Sequence, residues 1–176
     1  MAASSRDHMV NFLIDNPYRF YRRAKQRTRE TVTYALAISA IFAVLNEASI
    51  FFGFTPAKMI YGHLETAGII FLSFIAGFFL ISLIFSLLAY GRLDRNSYLT
   101  ALFVLVYSAT PFMLLGWIPH AVVKTALLIW ALIFLMVGIH VRMKKNYKQA
   151  ALITIALVII IAIISLLSQN FVLAPV

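Results

Sequence analysis

The sequence predicts an all-α integral membrane protein, a bundle of five transmembrane helices preceded by a basic amphipathic cytoplasmic helix. Of its 176 residues, 62% are apolar and 12% are charged, whereas soluble domains have about 45–50% and about 25%. A chain this short cannot bury so much apolar surface in a water-soluble core, so lipid must cover the remainder. The apolar residues form five runs near the length of about 20 residues that a spanning helix needs. The net charge of +9 arises from clusters of cations between those runs.

Residues 1–30 are predicted to form a basic cytoplasmic segment. The sequence Asp-Asn-Pro at 15–17 is a helix-start signature, a capping side chain followed by proline at the first helical position. Apolar or small residues then recur at helical spacing, and arginines occupy the other faces. The first set is Pro17, Phe20, Tyr21, Ala24 and Thr28, and the second is Arg19, Arg22, Arg23 and Arg27. We expect this helix to lie on anionic lipids of the cytoplasmic leaflet. Two alternatives are a peripheral protein partner and a plain positive flank of the first span.

Residues 31–176 are predicted to form a transmembrane domain of five spans. We expect the spans at about 31–54, 67–88, 98–115, 121–141 and 150–167. They are helices rather than strands, because lipid does not tolerate unpaired backbone groups and the runs show no alternation with a period of two. Only residues 116–120 join the third and fourth spans, so a re-entrant hairpin is the alternative for this pair. The topology of the other spans is the same in both cases.

The distribution of cations predicts the orientation in the membrane. Thirteen of the 15 Lys and Arg residues precede the first span or lie in the second-to-third and fourth-to-fifth connections. The other side carries only Lys58 and Lys124. Because cytoplasmic loops are enriched in Lys and Arg, we expect the N-terminus in the cytoplasm and the C-terminus outside, in the cell membrane. Cations that flank spans in this way do not indicate a nucleic-acid partner.

The third predicted span contains the sequence Tyr-Ser-Ala-Thr-Pro at 107–111. Pro111 removes one backbone hydrogen bond and kinks the helix. Ser108 and Thr110 can satisfy the freed carbonyls or form hydrogen bonds to other helices. Two interpretations follow for Tyr107, Ser108, Thr110 and Pro111, a kink that serves packing and a functional hinge or polar groove.

Two polar residues, Asn46 and Glu47, lie in the outer half of the first predicted span. An ionisable residue inside a span is by default a functional hypothesis. Their depth near the outer interface favours an interfacial role for Glu47. The alternative is a proton- or cation-linked site.

Four segments together resemble the Yip domain family, the Ypt/Rab-GTPase-interacting membrane proteins, in its minimal prokaryotic form. They are the Asn-Pro-Tyr-Arg-Phe-Tyr segment at 16–21, the glycine and polar loop at 91–97, the Tyr-Ser-Ala-Thr-Pro motif, and Trp130 with Gly138 before a basic loop and Ala150. The resemblance implies a five-span membrane scaffold or adaptor. The acidic signature of the longer eukaryotic N-terminal region is missing, so Rab binding is not carried over.

No catalytic, cofactor-binding or metal-binding residues are predicted, and we expect that the protein is not an enzyme. The chain has no cysteine, and it contains no nucleophile elbow, zinc-binding helix motif or phosphate-binding loop. The leading hypothesis is a scaffold or interaction module whose cytoplasmic basic face binds lipid or a peripheral protein, with a homo-oligomer as a further option. The alternative is a small oligomeric channel or transporter that uses Glu47, Ser108 and Thr110.

Overall fold

The computed structural model of the chain describes residues 17–24, 27–54 and 62–172, and these residues form six α-helices and no strand. The helices are α1 (Pro17–Arg23), α2 (Thr28–Phe51), α3 (His63–Tyr90), α4 (Arg95–Leu115), α5 (Ala121–Arg142) and α6 (Tyr147–Val172). The predicted all-α class with five spans is confirmed, because α2 to α6 are each long and apolar enough to cross a membrane. Some residues used in the sequence analysis lie outside the described part, namely Arg6, Asp15, Asn16, Lys25 and Lys58.

The N-terminal helix α1 is shorter than the predicted amphipathic helix. The predicted apolar face continued to Thr28, but α1 ends at Arg23 and Thr28 is the first residue of α2. Arg27 separates the two helices, since its backbone is extended (φ −118°, ψ 125°). The predicted face is therefore divided between two helices that can take different directions.

The first span ends three residues earlier than the predicted limit at residue 54. Gly53 has φ +73°, a left-handed conformation that glycine adopts without steric cost. The amide of Phe54 donates to the carbonyl of Ser49 (2.9 Å), and that of Gly53 donates to the carbonyl of Ile50 (3.0 Å). This pair of bonds is the Schellman pattern, which closes a helix C-terminus.

The third span begins three residues before the predicted limit at residue 98, because Asp94 caps α4. One carboxylate oxygen of Asp94 accepts from the amide of Ser97 (2.8 Å), and the other accepts from the Ser97 hydroxyl (2.7 Å). These hydrogen bonds hold the pKa of the Asp94 carboxyl below its usual value, since they stabilise its charged form. Asp94 also forms an ion pair with Arg92 (2.8 Å).

Helix α4 lies at the centre of the bundle. It packs against α2, α3 and α5, while α6 packs against α5 and α3, and α1 packs against α5. More than half of α4 is buried, a larger share than in any other described span. Leu102, Val104 and Val106 have no exposed surface at all. The core therefore surrounds α4. A helix buried in this way is apolar on all its faces, as the consecutive buried residues 101–106 are.

Consecutive spans run antiparallel, so their ends collect at two opposite ends of the bundle. Near the middle of α2, Phe42 contacts Phe74 of α3, whereas Glu47 near the end of α2 contacts His63 at the start of α3. Val104 in the first half of α4 likewise lies beside Gly138 near the end of α5. Residues 116–120 connect α4 to α5, whose 21 and 22 residues correspond to about 32 and 33 Å, enough for each helix to cross the hydrocarbon separately. We call the end where α2, α4 and α6 begin the basic end, and the other the opposite end.

The outward faces of α3 and α6 are apolar. Leu72 and Leu80 of α3 and Leu152 of α6 are each about two-thirds exposed. Large aliphatic side chains in such number outside the core of a soluble protein would form an aggregation-prone patch. In a membrane, lipid tails cover them.

Candidate functional site

A cluster of hydrogen-bonded polar side chains surrounds the Tyr-Ser-Ala-Thr-Pro motif in the second half of α4. Pro111 lies inside α4 and is buried, and the helix continues to Leu115. The hydroxyls of Ser108 and Thr110 each donate to the carbonyl one turn earlier, those of Val104 and Val106. Such bonds satisfy a polar side chain within its own helix. The two hydroxyls therefore need no water in the apolar core.

Helix α1 reaches this motif through Tyr21, which is fully buried. The Tyr21 hydroxyl donates to the carbonyl of Val104 (3.2 Å) and lies 3.3 Å from the hydroxyl oxygen of Ser108. Burial raises the pKa of the Tyr21 phenol above its ordinary value, so the group keeps its proton and remains a donor. The side chain of Tyr21 thus connects α1 to α4 at the centre of the bundle.

Gly138 of α5 makes room for the ring of Tyr21. A Cβ atom on this residue would lie 2.7 Å from Cγ1 of Val104 and 2.9 Å from Cζ of Tyr21. Ordinary carbon–carbon contacts are about 3.5–4.0 Å. The glycine is therefore needed for the close approach of α1, α4 and α5.

A second tyrosine attaches α2 to the same motif. The hydroxyl oxygen of Tyr34 lies 2.9 Å from that of Thr110. The ring of Tyr34 stacks on that of Tyr107, with centroids 4.5 Å apart and planes 7° from parallel. Three helices consequently meet at one hydrogen-bonded and aromatic cluster, which we call the tyrosine cluster: Tyr21, Tyr34, Tyr107, Ser108 and Thr110.

The structure places Tyr107, Ser108, Thr110 and Pro111 together, as the sequence motif implies, and buries the last three. Their partners Tyr21 and Tyr34 are not predicted from the sequence. They lie more than 70 positions away in the chain, so no local pattern indicates the pairing. Gly138 belongs to the motifs that carry the family resemblance, but its role in admitting Tyr21 follows only from the geometry.

Glu47 lies near the opposite end and is almost completely buried. Its Oε1 contacts Nδ1 of His63, the first residue of α3, and its Oε2 is buried with no hydrogen-bond partner. The neighbouring Asn46 is half-buried. The contact joins the end of α2 to the start of α3. Within the described residues, no group of three or more His, Asp and Glu side chains is arranged to hold a metal ion.

The arginines predicted to face lipid are exposed at the basic end. Arg19, Arg22 and Arg23 of α1 all point away from the core. Arg27 is also exposed, and it forms an ion pair with Glu30 (2.8 Å). Tyr21 faces inward from the same helix, so the inner surface of α1 contacts protein and its outer surface carries the charge.

A family model described as the Yip1 domain matches residues 12–168 of the chain. The matched region contains α1 to α5, most of α6, the tyrosine cluster and the Glu47–His63 contact. No curated protein and no solved structure matches the chain.

Proposed function

The chain belongs to the Yip1 domain family, and we propose that it is a non-catalytic membrane scaffold whose basic end binds anionic lipid or a peripheral protein. The resemblance identified from the sequence motifs is confirmed by the family model. The family is not a known enzyme family. We further propose that the basic end faces the cytoplasm, in accordance with the enrichment of Lys and Arg on that side of membrane proteins.

The observation that supports this proposal best is the charge imbalance at the basic end. Among the described residues there, eleven are Lys or Arg and two are acidic, Glu30 and Asp94. Each acid already pairs with an arginine, Glu30 with Arg27 and Asp94 with Arg92. The other cations have no carboxylate partner in the described part of the chain. They are Arg19, Arg22, Arg23, Arg29, Arg95, Arg142, Lys144, Lys145 and Lys148.

Anionic lipid is a suitable partner for these cations. A cation close to an anionic membrane surface contributes roughly 1 kcal/mol to binding. Because Tyr21 is fixed in the core, α1 presents Arg19 and Arg23 on its outer face.

The tyrosine cluster supports a scaffold more than a transporter. A transport path through the third span would expose Ser108 and Thr110 to water, but both are buried and hydrogen-bonded to protein. One observation favours the alternative, a small channel or transporter. Oε2 of Glu47 is buried without a partner, and such a group can take up a proton or cation.

A lipid-retention experiment tests the proposed function. The full chain and a variant with Arg19, Arg22 and Arg23 each changed to Gln are purified in mild detergent, and retained anionic phospholipid is quantified by mass spectrometry. We expect the variant to bind it at least about tenfold more weakly, because three surface cations are lost. The matched control is Lys124→Gln at the opposite end, which should retain as much lipid as the wild type.

Equal lipid retention by the triple variant and the wild type would contradict the lipid-binding role of α1. A separate measurement addresses the transporter alternative. The wild type is reconstituted in liposomes and its proton and cation flux is compared with that of empty liposomes. Flux that is present in the wild type and lost in Glu47→Gln would favour a transporter over a scaffold.

A further inference from the structure

Arg142 differs from the other cations of the basic end because part of its guanidinium group is buried. It is the last residue of α5. Its guanidinium carbon lies 5.0 Å from the centroid of the Phe103 ring, over the ring. Nε and one terminal nitrogen, Nη2, are buried and have no hydrogen-bond partner. The contact with the ring provides no oxygen acceptor for these two N–H groups.

This guanidinium group lies beside α1. Arg142 follows Gly138 by four residues, so the two positions lie on the same face of α5. Gly138 contacts Tyr21, and the Phe103 ring beneath Arg142 also meets the Tyr21 ring edge to face, with centroids 6.1 Å apart. The unpaired nitrogens are therefore about one helical turn beyond the Tyr21 contact, toward the basic end.

Buried, unpaired donors on a charged group are unfavourable, because they have lost water without gaining another partner. No carboxylate in the described part of the chain forms an ion pair with Arg142. Helix α1 adds only further positive charge on its described residues. An external anion would remove both the unpaired donors and the repulsion between like charges.

Nε and Nη2 form one edge of the planar guanidinium group, and this edge matches two oxygens of a carboxylate or phosphate. The position of the residue favours phosphate. α5 has 22 residues, so its end lies at about the depth of the phosphate groups of the lipid.

We propose that this edge of Arg142 binds a phosphate oxyanion of the kind carried by an anionic phospholipid headgroup. The inference rests on the proposed function and names one residue that recognises the lipid. Both nitrogens are covered by protein, so phosphate reaches them only when a neighbouring segment moves. Helix α1 is the adjacent element with the least stability of its own, because seven residues are too few for an isolated helix. Phosphate binding is thus coupled to a shift of α1.

The test uses the purified full chain in detergent and three probes, namely short-chain phosphatidylglycerol, short-chain phosphatidylcholine and inorganic phosphate. Affinities are measured for the wild type, Arg142→Gln, Arg142→Lys and Lys124→Gln. Lys124 is the control, since it is an exposed cation at the opposite end of the bundle. We expect Arg142→Gln to weaken phosphatidylglycerol binding by about tenfold or more. Lys124→Gln should change it by less than about twofold.

Arg142→Lys keeps the charge but lacks the planar edge, so it should also bind several-fold more weakly than the wild type. This variant decides the question if Arg142→Gln does not fold. Wild-type affinity in Arg142→Lys, or in a folded Arg142→Gln, overturns the proposed site and leaves the general lipid-binding role of the basic end intact. If the wild type itself does not prefer phosphatidylglycerol to phosphatidylcholine, this proposal and the lipid-binding part of the proposed function both fail.

Inorganic phosphate distinguishes the two sources of the oxyanion. Phosphatidylglycerol binding that depends on Arg142, with no measurable competition from inorganic phosphate, assigns the site to a lipid headgroup. Competition by inorganic phosphate that is lost in Arg142→Gln supports the same chemistry with free phosphate as the ligand. Competition that is identical in all four proteins contradicts the assignment to Arg142.

Discussion

The missing side chain at position 138 allows the Tyr21 ring to enter the core. The contact involves three helices, since Val104 of α4 and Tyr21 of α1 both meet the α carbon region of Gly138 on α5. Any larger residue must push one of two buried side chains aside. Protein interiors accommodate such shifts poorly because they are closely packed.

Gly138→Ala should therefore destabilise the protein by about 1–3 kcal/mol, the usual cost of overpacking a core. The measurement is thermal unfolding of the purified protein in detergent. Gly77→Ala is the matched control, because a Cβ atom at position 77 meets no atom within 4 Å and alanine favours a helix over glycine. Equal melting temperatures for Gly138→Ala and the wild type would show that the close approach is not required.

Asp94 and Glu47 show how much of the role of a single residue can be predicted from the sequence. The sequence places Asp94 between Arg92 and Arg95, which indicates a salt bridge, and the structure adds its role as the cap of α4. Glu47 was placed by its depth near the outer interface, but its partner His63 depends on the path of the chain between α2 and α3. Sequence spacing alone does not determine that path.

At the scale of the element, α1 depends on the rest of the molecule for its structure. It has seven residues, fewer than the roughly 12–15 that an isolated helix needs in water. Its buried side chain is Tyr21, whose ring and hydroxyl contact α4 and α5. The ring of Phe20 also lies against α4, with its centroid 5.2 Å from that of Tyr107. We infer that Tyr21, the fully buried residue of the pair, makes the larger contribution to holding α1 on the bundle.

Tyr21→Ala should release α1 while α4 and α5 remain folded. Amide hydrogen exchange measured by mass spectrometry should show lost protection of the amides of residues 21–24, which donate within α1, and retained protection in the middle of α4. Arg22→Ala on the exposed side of α1 is the control and should leave protection unchanged. Retained protection of the amides of residues 21–24 in Tyr21→Ala would mean that other contacts hold the helix.

At the scale of the whole molecule, the bundle combines a central helix with two helices that expose most of their surface. α4 is the most buried of the described spans, and α3 and the described part of the α6 span are among the least buried. This arrangement suits a bilayer, where lipid replaces water around the outer helices. It also collects the charged helix ends and α1 at one end, where the proposed lipid or protein partner would bind.

The orientation of the molecule gives a prediction at this scale. A reporter that is active only outside the cytoplasm should stay silent when it is fused to the N-terminus and become active when it is fused to the C-terminus. The reason is the excess of Lys and Arg at the basic end. The reverse pattern, or activity at both ends, would contradict the five-span topology with a cytoplasmic N-terminus.

The sequence by itself determined the class of the protein, the number of spans and the family. These properties follow from the lengths of apolar runs and the order of short motifs, which are local along the chain. Which residues meet in the tyrosine cluster was determined only by the tertiary structure. Tyr21, Tyr34 and Gly138 come from three different helices, and whether they meet Val104, Ser108 and Thr110 depends on the packing of side-chain shapes across the bundle. For the same reason the buried edge of Arg142 was not visible in a count of charges.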